Sequence, residues 1–226
     1  MKMHYEINEF KTLKYITAYP DGYSKGKKYP IIFFLHGAGT MGTDAEKVIE
    51  NPYFKAIEKY KDFPFITIAP HSGENTWFDV LETLKELVIN VSKSAFADSK
   101  RIYAMGASMG GYGVWQLIMS LPEVFAAAVP ICGGGMYWNA AKAQDVSVWA
   151  FHGENDNLVF PEESKKMVEA LKNAGGNARL TIFSDTNHDS WNKVYSDRKV
   201  FEWLQTHENV HSNSIYNVYN NEKLYG

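Results

Sequence analysis

Residues 101–112 read Arg-Ile-Tyr-Ala-Met-Gly-Ala-Ser-Met-Gly-Gly-Tyr, and this stretch decides the fold. A short apolar run, Arg101–Met105, leads directly into the pentapeptide Gly106-Ala107-Ser108-Met109-Gly110, and helix-compatible residues follow to Leu121. Small residues are common in loops, so G-x-S-x-G alone says little. Between a strand and a helix it predicts a sharp turn that lifts Ser108 above a sheet. Only small neighbours tolerate such a turn. The start of the following helix supplies N–H groups where negative charge is favoured.

Outward from this point the chain alternates strand and helix. Short apolar runs at Ile31–Leu35, Phe65–Ala69, Ala126–Ile131, Val146–Phe151 and Leu180–Phe183 suit strands buried on both faces of a parallel sheet. Two β-rich runs, Met3–Phe10 and Leu13–Tyr19, precede them. Helical spacing is expected over Thr76–Ser94, Gly110–Leu121, Pro161–Asn173 and Trp191–Gln205. Pro161 and Gly175-Gly176 stand where helix termini prefer them. The reading is a single α/β domain over residues 1–205, with a mostly parallel sheet covered by helices on both faces. Residues 206–226, rich in Asn, Tyr, His and Ser, form a polar tail. It is either an unpacked end or an arm carrying Tyr216, Tyr219 and Tyr225.

With 226 residues, 45% hydrophobic and 22% charged, the chain can build a sizeable core. A net charge of -3 offers no basic surface for nucleic acid. No stretch has the length and apolarity of a membrane span. The single Cys132 excludes an internal disulfide, and no zinc-type spacing occurs. No metal and no cofactor are expected, and Cys132 reads as a small apolar residue. Met1–Phe10 lacks an export signal, so the expected compartment is the cytoplasm, or outside the cell if a signal has been removed.

A serine hydroxyl needs a base, and on this scaffold acid and histidine follow it in that order. His188 lies in the polar loop after Leu180–Phe183, at a strand's C-terminal end where sites of parallel sheets form. His152 reads as a packed loop histidine, and His207 and His211 lie in the tail. Asp156, in the loop after Val146–Phe151, is the expected acid; Glu154 competes, Asp145 is at the wrong strand end, and Asp185 is very near His188 in sequence. The acid would hold the imidazole in one tautomer. Oxyanion donors are expected from the N–H groups of Met109 and Ala38, the latter in His36-Gly37-Ala38-Gly39.

These segments resemble the esterase and "predicted peptidase" branch of the α/β-hydrolases, which is similar to phospholipase/carboxylesterases and feruloyl esterases. The likeness is carried by Lys27–Asp44, Asp98–Trp115, Phe125–Gly135, Val148–Val159 and Thr186–Trp191. It implies a Ser108–Asp156–His188 triad and an oxyanion site at Ala38 and Met109. His71 stands where that branch tends to have Gln, and it is expected to flank the site. Trp77, Tyr137, Trp138 and Trp191 are candidates for the substrate pocket. The implied activity is hydrolysis of carboxylic esters, with acetyl or feruloyl esters on plant polysaccharides as the favoured substrates. A short-chain carboxylesterase, a serine peptidase and a non-catalytic binding module are the competing readings. The expected partner is a small-molecule or saccharide-linked ester, with no nucleic acid and no membrane.

Overall fold

Strand β3 (Tyr29–Leu35) explains its own composition. Ile31, Phe33 and Leu35 enter one hydrophobic core, and Ile32 and Phe34 enter a second on the other face. A strand that buries both faces loses the alternation of apolar and polar residues, and it reads as a continuous apolar run. Phe33 and Phe34 are fully buried, so truncating either to Ala costs about 3–5 kcal/mol.

The computed structural model describes residues 3–209 and 211. Around β3 lie β1 (His4–Phe10), β2 (Leu13–Tyr19), β4 (Ile66–Pro70), β5 (Ala97–Ala107), β6 (Ala127–Ile131), β7 (Ser147–Gly153) and β8 (Ala178–Phe183). They form an eight-stranded sheet in the order β1-β2-β4-β3-β5-β6-β7-β8. β1 and β2 pair as an antiparallel hairpin and β2 pairs antiparallel with β4; from β4 to β8 every pairing is parallel. Helices α2 (Leu81–Ser92), α3 (Met109–Ser120) and α4 (Glu162–Asn173) supply apolar residues to one core. Helices α1 (Pro52–Ile57), α5 (Trp191–Ser196) and α6 (Arg198–Gln205) supply the other. This is the α/β-hydrolase arrangement, and every parallel strand points its C-terminal end at the same edge.

Two helices differ from their sequence patterns, both because of an aspartate. The expected start at Thr76 moves to Leu81, because Asp79 Oδ2 accepts from Thr76 N at 2.8 Å and Thr76 Oγ1 at 2.6 Å and closes a separate turn. The single helix expected over Trp191–Gln205 divides at Asp197. That residue is extended and caps α6 by accepting from Lys199 N at 3.0 Å. Strand β8 is also less buried than its apolar run suggests, because it is the sheet's edge.

The start of the expected tail packs against β5. Tyr103 donates its hydroxyl to the His207 carbonyl at 2.9 Å, and Asn209 N donates to the Lys100 carbonyl at 2.8 Å. Tyr216, Tyr219 and Tyr225 lie outside the described residues. No helix among the described residues is long and apolar enough to cross a membrane.

Candidate active site

Strand β5 ends at Ala107 and α3 begins at Met109, so Ser108 alone makes the turn. Its backbone takes φ 57° and ψ -121°, a region costly for any residue with a side chain. The surroundings enforce it. Ser108 N donates to the Ile131 carbonyl at 2.9 Å, and a Cβ on Gly110 would overlap the Leu35 carbonyl oxygen. Glycine at 110 therefore lets α3 start against the end of β3, which swings the Ser108 hydroxyl out over the sheet edge.

Ser108, His188 and Asp156 form one hydrogen-bonded chain. His188 Nε2 lies 2.8 Å from Ser108 Oγ, and His188 Nδ1 lies 2.7 Å from Asp156 Oδ2. The carboxylate is fixed at its other oxygen, where Oδ1 accepts from the N–H groups of Leu158 and Val159, both at 3.0 Å. Burial opposes its charge, but His188 and the two amides outweigh it and hold the carboxyl below its ordinary range. As the acceptor at His188 Nδ1, Asp156 requires a hydrogen there, which leaves Nε2 free to take the serine proton. Glu154 makes no such contact; its N–H donates to the Phe183 carbonyl at 2.9 Å and its side chain is exposed.

The loops that carry acid and histidine are pinned together. A Cβ on Gly153 would overlap the carbonyl oxygens of Thr186 and Asn187, and Asn155 N donates to the Thr186 carbonyl at 3.0 Å. The glycine thus lets the two loops touch, and Lys193 Nζ donates to Thr186 Oγ1 at 2.7 Å from α5.

Ala38 opens a short 3-10 turn, Ala38–Thr40, and Met109 opens α3. First residues of helical turns have no acceptor within their own turn, so both N–H groups are free to face a ligand oxygen. Gly37 brings the first turn against Ser108: a Cβ there would lie 3.6 Å from Ser108 Cβ.

A cavity of about 570 Å³ opens beside Ser108 and His188. Its lining includes the apolar residues Trp191, Tyr195 and Leu158 and the polar residues Lys47, Glu50 and Asn51. Trp191 stands perpendicular to the His188 ring, with centroids 5.3 Å apart. Of the expected pocket residues it alone lines this cavity. Trp77 is 1% exposed and belongs to the core, where its Nε1 donates to the His36 carbonyl at 2.9 Å. His71 is buried, with Nε2 3.1 Å from the Thr40 carbonyl. Both brace the turn that carries Ala38 from behind, and His36 links them: its ring lies 4.8 Å from that of Trp77 and 5.3 Å from that of His71. His36 Nε2 accepts from Ser72 N at 3.2 Å while Nδ1 faces the Gly37 carbonyl at 2.9 Å, a pattern only the neutral ring with hydrogen on Nδ1 completes. Burial accordingly lowers its pKa to about 4. Trp138 and Tyr137 lie on a surface 3-10 turn outside the cavity, with Trp138 68% exposed.

The polar lining had not been anticipated. Asn51-Pro52 is a helix-start signal, with Asn51 Oδ1 accepting from Tyr53 N at 3.1 Å, and it marks the α1 end of the cavity. Cys132 is also nearer the chemistry than its sequence position suggests. One donor atom each of Cys132, Asp156 and His188 fall within 4.8 Å of one another, the one such Cys/His/Asp/Glu group among the described residues. Asp156 and His188 are already joined by their hydrogen bond. Burial pushes the Cys132 thiol up to about 12, so it is a neutral thiol beneath the site.

Known proteins with this fold give the geometry a context. A bifunctional acetylxylan esterase/xylanase of Neocallimastix patriciarum is 25% identical over 180 residues, which cover 77% of this chain and 26% of that protein. The chain therefore spans about a quarter of that relative's length. The crystal structure of a thermostable esterase is 29% identical, with a TM-score of 0.75 over 91% of this chain and 63% of that one. The feruloyl esterase module from Clostridium thermocellum, complexed with sinapinate, shares the fold at 17% identity, with a TM-score of 0.69 over 90% of this chain and 86% of that module. The dienelactone hydrolase family model matches residues 53–209, which hold Ser108, Asp156 and His188, and this chain belongs to that family.

Proposed function

We propose that the protein is a serine hydrolase of carboxylic esters that works through an acyl-enzyme. The observation that carries this reading is the unbroken hydrogen-bond chain from Ser108 Oγ through His188 to Asp156 at the mouth of a cavity. His188 Nε2 takes the hydroxyl proton as Ser108 Oγ attacks the ester carbonyl carbon. The N–H groups of Ala38 and Met109 receive the carbonyl oxygen as it becomes an anion, and each such donor contributes roughly 3–4 kcal/mol. His188 then passes its proton to the leaving alcohol, and the acyl group stays on Ser108. Water, deprotonated by His188, attacks that acyl-serine; the C–O bond to Ser108 breaks, the acid leaves, and His188 returns the proton to Ser108 Oγ. Asp156 stabilises the imidazolium in both halves.

The substrates we favour are small acyl or aromatic acyl esters of plant polysaccharides. The acetylxylan esterase relative and the feruloyl esterase fold support this, as does a cavity lined by both an aromatic ring, Trp191, and polar side chains, Lys47, Glu50 and Asn51. A plain short-chain carboxylesterase would use the same triad. A panel of p-nitrophenyl acetate to octanoate, methyl ferulate and acetylated xylan separates the two. Release of ferulate or of xylan acetate with kcat/KM above that of the p-nitrophenyl esters is the expected result; turnover of the p-nitrophenyl esters alone assigns the plain carboxylesterase. A fluorophosphonate should label Ser108 and no other residue, read by mass spectrometry of the labelled peptide.

A further inference from the structure

His152 is the last residue but one of β7, four residues before Asp156, and it is 0% exposed. A histidine so deep needs partners for both ring nitrogens. Its Nε2 faces two acceptors, the Val159 carbonyl at 2.8 Å and Asp156 Oδ2 at 3.2 Å. Nothing at that nitrogen donates to it, so it carries a hydrogen. On the opposite side Nδ1 lies 2.7 Å from Ser164 Oγ, which is itself 2.9 Å from the Gly133 carbonyl. Ser164 belongs to α4 and Gly133 follows β6, so the ring is held from three elements.

Val159 closes the arrangement. Its N–H donates to Asp156 Oδ1 and its carbonyl accepts from His152, so imidazole, carboxylate and the backbone of one residue lock one another. Asp156 Oδ2 therefore faces two imidazoles, His188 at 2.7 Å towards the cavity and His152 at 3.2 Å from within. The charged groups around His152 are Asp156 on the acid loop, His188 on its own loop and Glu162 at the start of α4. Glu162 is paired with Lys165 at 3.0 Å, which leaves Asp156 as the carboxylate that faces His152 Nε2, beside the nearer Val159 carbonyl.

We infer that His152 is a positioning residue for the hydrolytic site: its Nε2–H, bonded to the Val159 carbonyl, faces Asp156 Oδ2 at 3.2 Å from beneath, so that this carboxylate lies between two imidazoles. The inference rests on the serine-hydrolase reading. Its consequence is electrostatic as well as geometric. An Asp156 carboxylate that lies between two imidazoles interacts less strongly with His188 Nδ1–H than one that serves His188 alone. Removing His152 should concentrate the carboxylate's charge on His188 and leave it less firmly aimed.

The test compares His152→Leu, which removes the donor, with His152→Gln, whose amide nitrogen can reach the place of Nε2. In His152→Leu the acid limb of kcat/KM should move to higher pH by about half a unit or more. Its kcat should fall about ten- to a hundredfold, the scale for lost supporters of reactive groups. KM should not move, because His152 does not line the cavity. His152→Gln should restore most of kcat and return the acid limb to its wild-type position, a recovery that mere space-filling would not produce. Should His152→Leu fail to fold, His152→Asn is read in its place, since its shorter amide cannot span to Asp156. A folded variant without the donor, with an unmoved acid limb and kcat within about twofold of wild type, overturns the inference. Ser108→Ala runs alongside: if it is inactive, such a result removes only the role of His152, and if it keeps turnover the hydrolase reading itself fails.

Discussion

The floor of the site and the wall of its cavity are built on different principles. Beneath Ser108 and His188, each polar contact is constrained by another: Asp156 has both oxygens occupied, His152 is held on both sides, and the acid and histidine loops touch through Gly153. The wall facing the cavity is looser. Leu158 is 74% exposed, and Lys47 and Glu50 are open to solvent. A dense network fixes one geometry, and interiors of this kind respond sharply to change. An open wall can exchange side chains at little cost to the fold. On the proposed reading, chemistry belongs to the floor and selectivity to the wall.

The largest expected effect is on the floor. Ser108→Ala should reduce kcat by about 10⁵ or more with no change in thermal stability, measured on a p-nitrophenyl ester. Retained turnover within tenfold would break the comparison at its root. Asp156→Asn should cost about 10⁴ in kcat at unchanged KM, because an amide can present its NH₂ to His188 and favour the wrong tautomer. A loss in KM instead would place Asp156 in binding rather than in orientation.

The brace behind Ala38 makes a third case, read in stability. The folded-state value of His36, about 4, lies below its ordinary 6.5, so the unfolded chain takes up this proton first. Stability from neutral His36 is therefore full above about 6.5 and is lost as pH falls towards about 4, by up to roughly 3 kcal/mol. Melting temperatures should drop across that window, and His36→Gln should flatten the slope. An identical slope in the variant would show that other groups carry the acid sensitivity. The wall gives the smallest effects. Trp191→Ala should raise KM for aromatic acyl esters by about tenfold while sparing acetyl esters. Leu158→Ala should change stability by less than about 0.5 kcal/mol and alter only acyl preference.

The same contrast governs what could be read from sequence. Strand runs and the contact of Ser108, His188 and Asp156 were legible because burial on two faces and a serine between glycines impose residue types locally. The position of Asp156 after one strand and His188 after the next followed from the scaffold's order. Trp77 and His71 misled because an aromatic ring near a site is equally at home behind it, and only packing distinguishes the two places. Lys47, Glu50 and Asn51 left no functional pattern, since the cavity wall is assembled from a 3-10 turn and a helix cap whose chemistry is ordinary. His152 was legible as a packed histidine. Its contact with Asp156 depends on how the loop turns back at Val159, which no spacing encodes.

Ser108, Asp156 and His188 sit at one edge of the sheet, just after the ends of β5, β7 and β8, and the loops of the opposite edge lie away from them. There the Ala174–Asn177 turn joins α4 to β8, with Gly175 at φ 87° and nothing within 4 Å of a Cβ placed on it. Exposed turns of small residues accept insertions. This turn is consequently a place to attach the protein to a bead, a fibre-binding module or a fluorescent reporter. An anchor there would hold the cavity facing away from the support, so that a bulky insoluble substrate could still reach it.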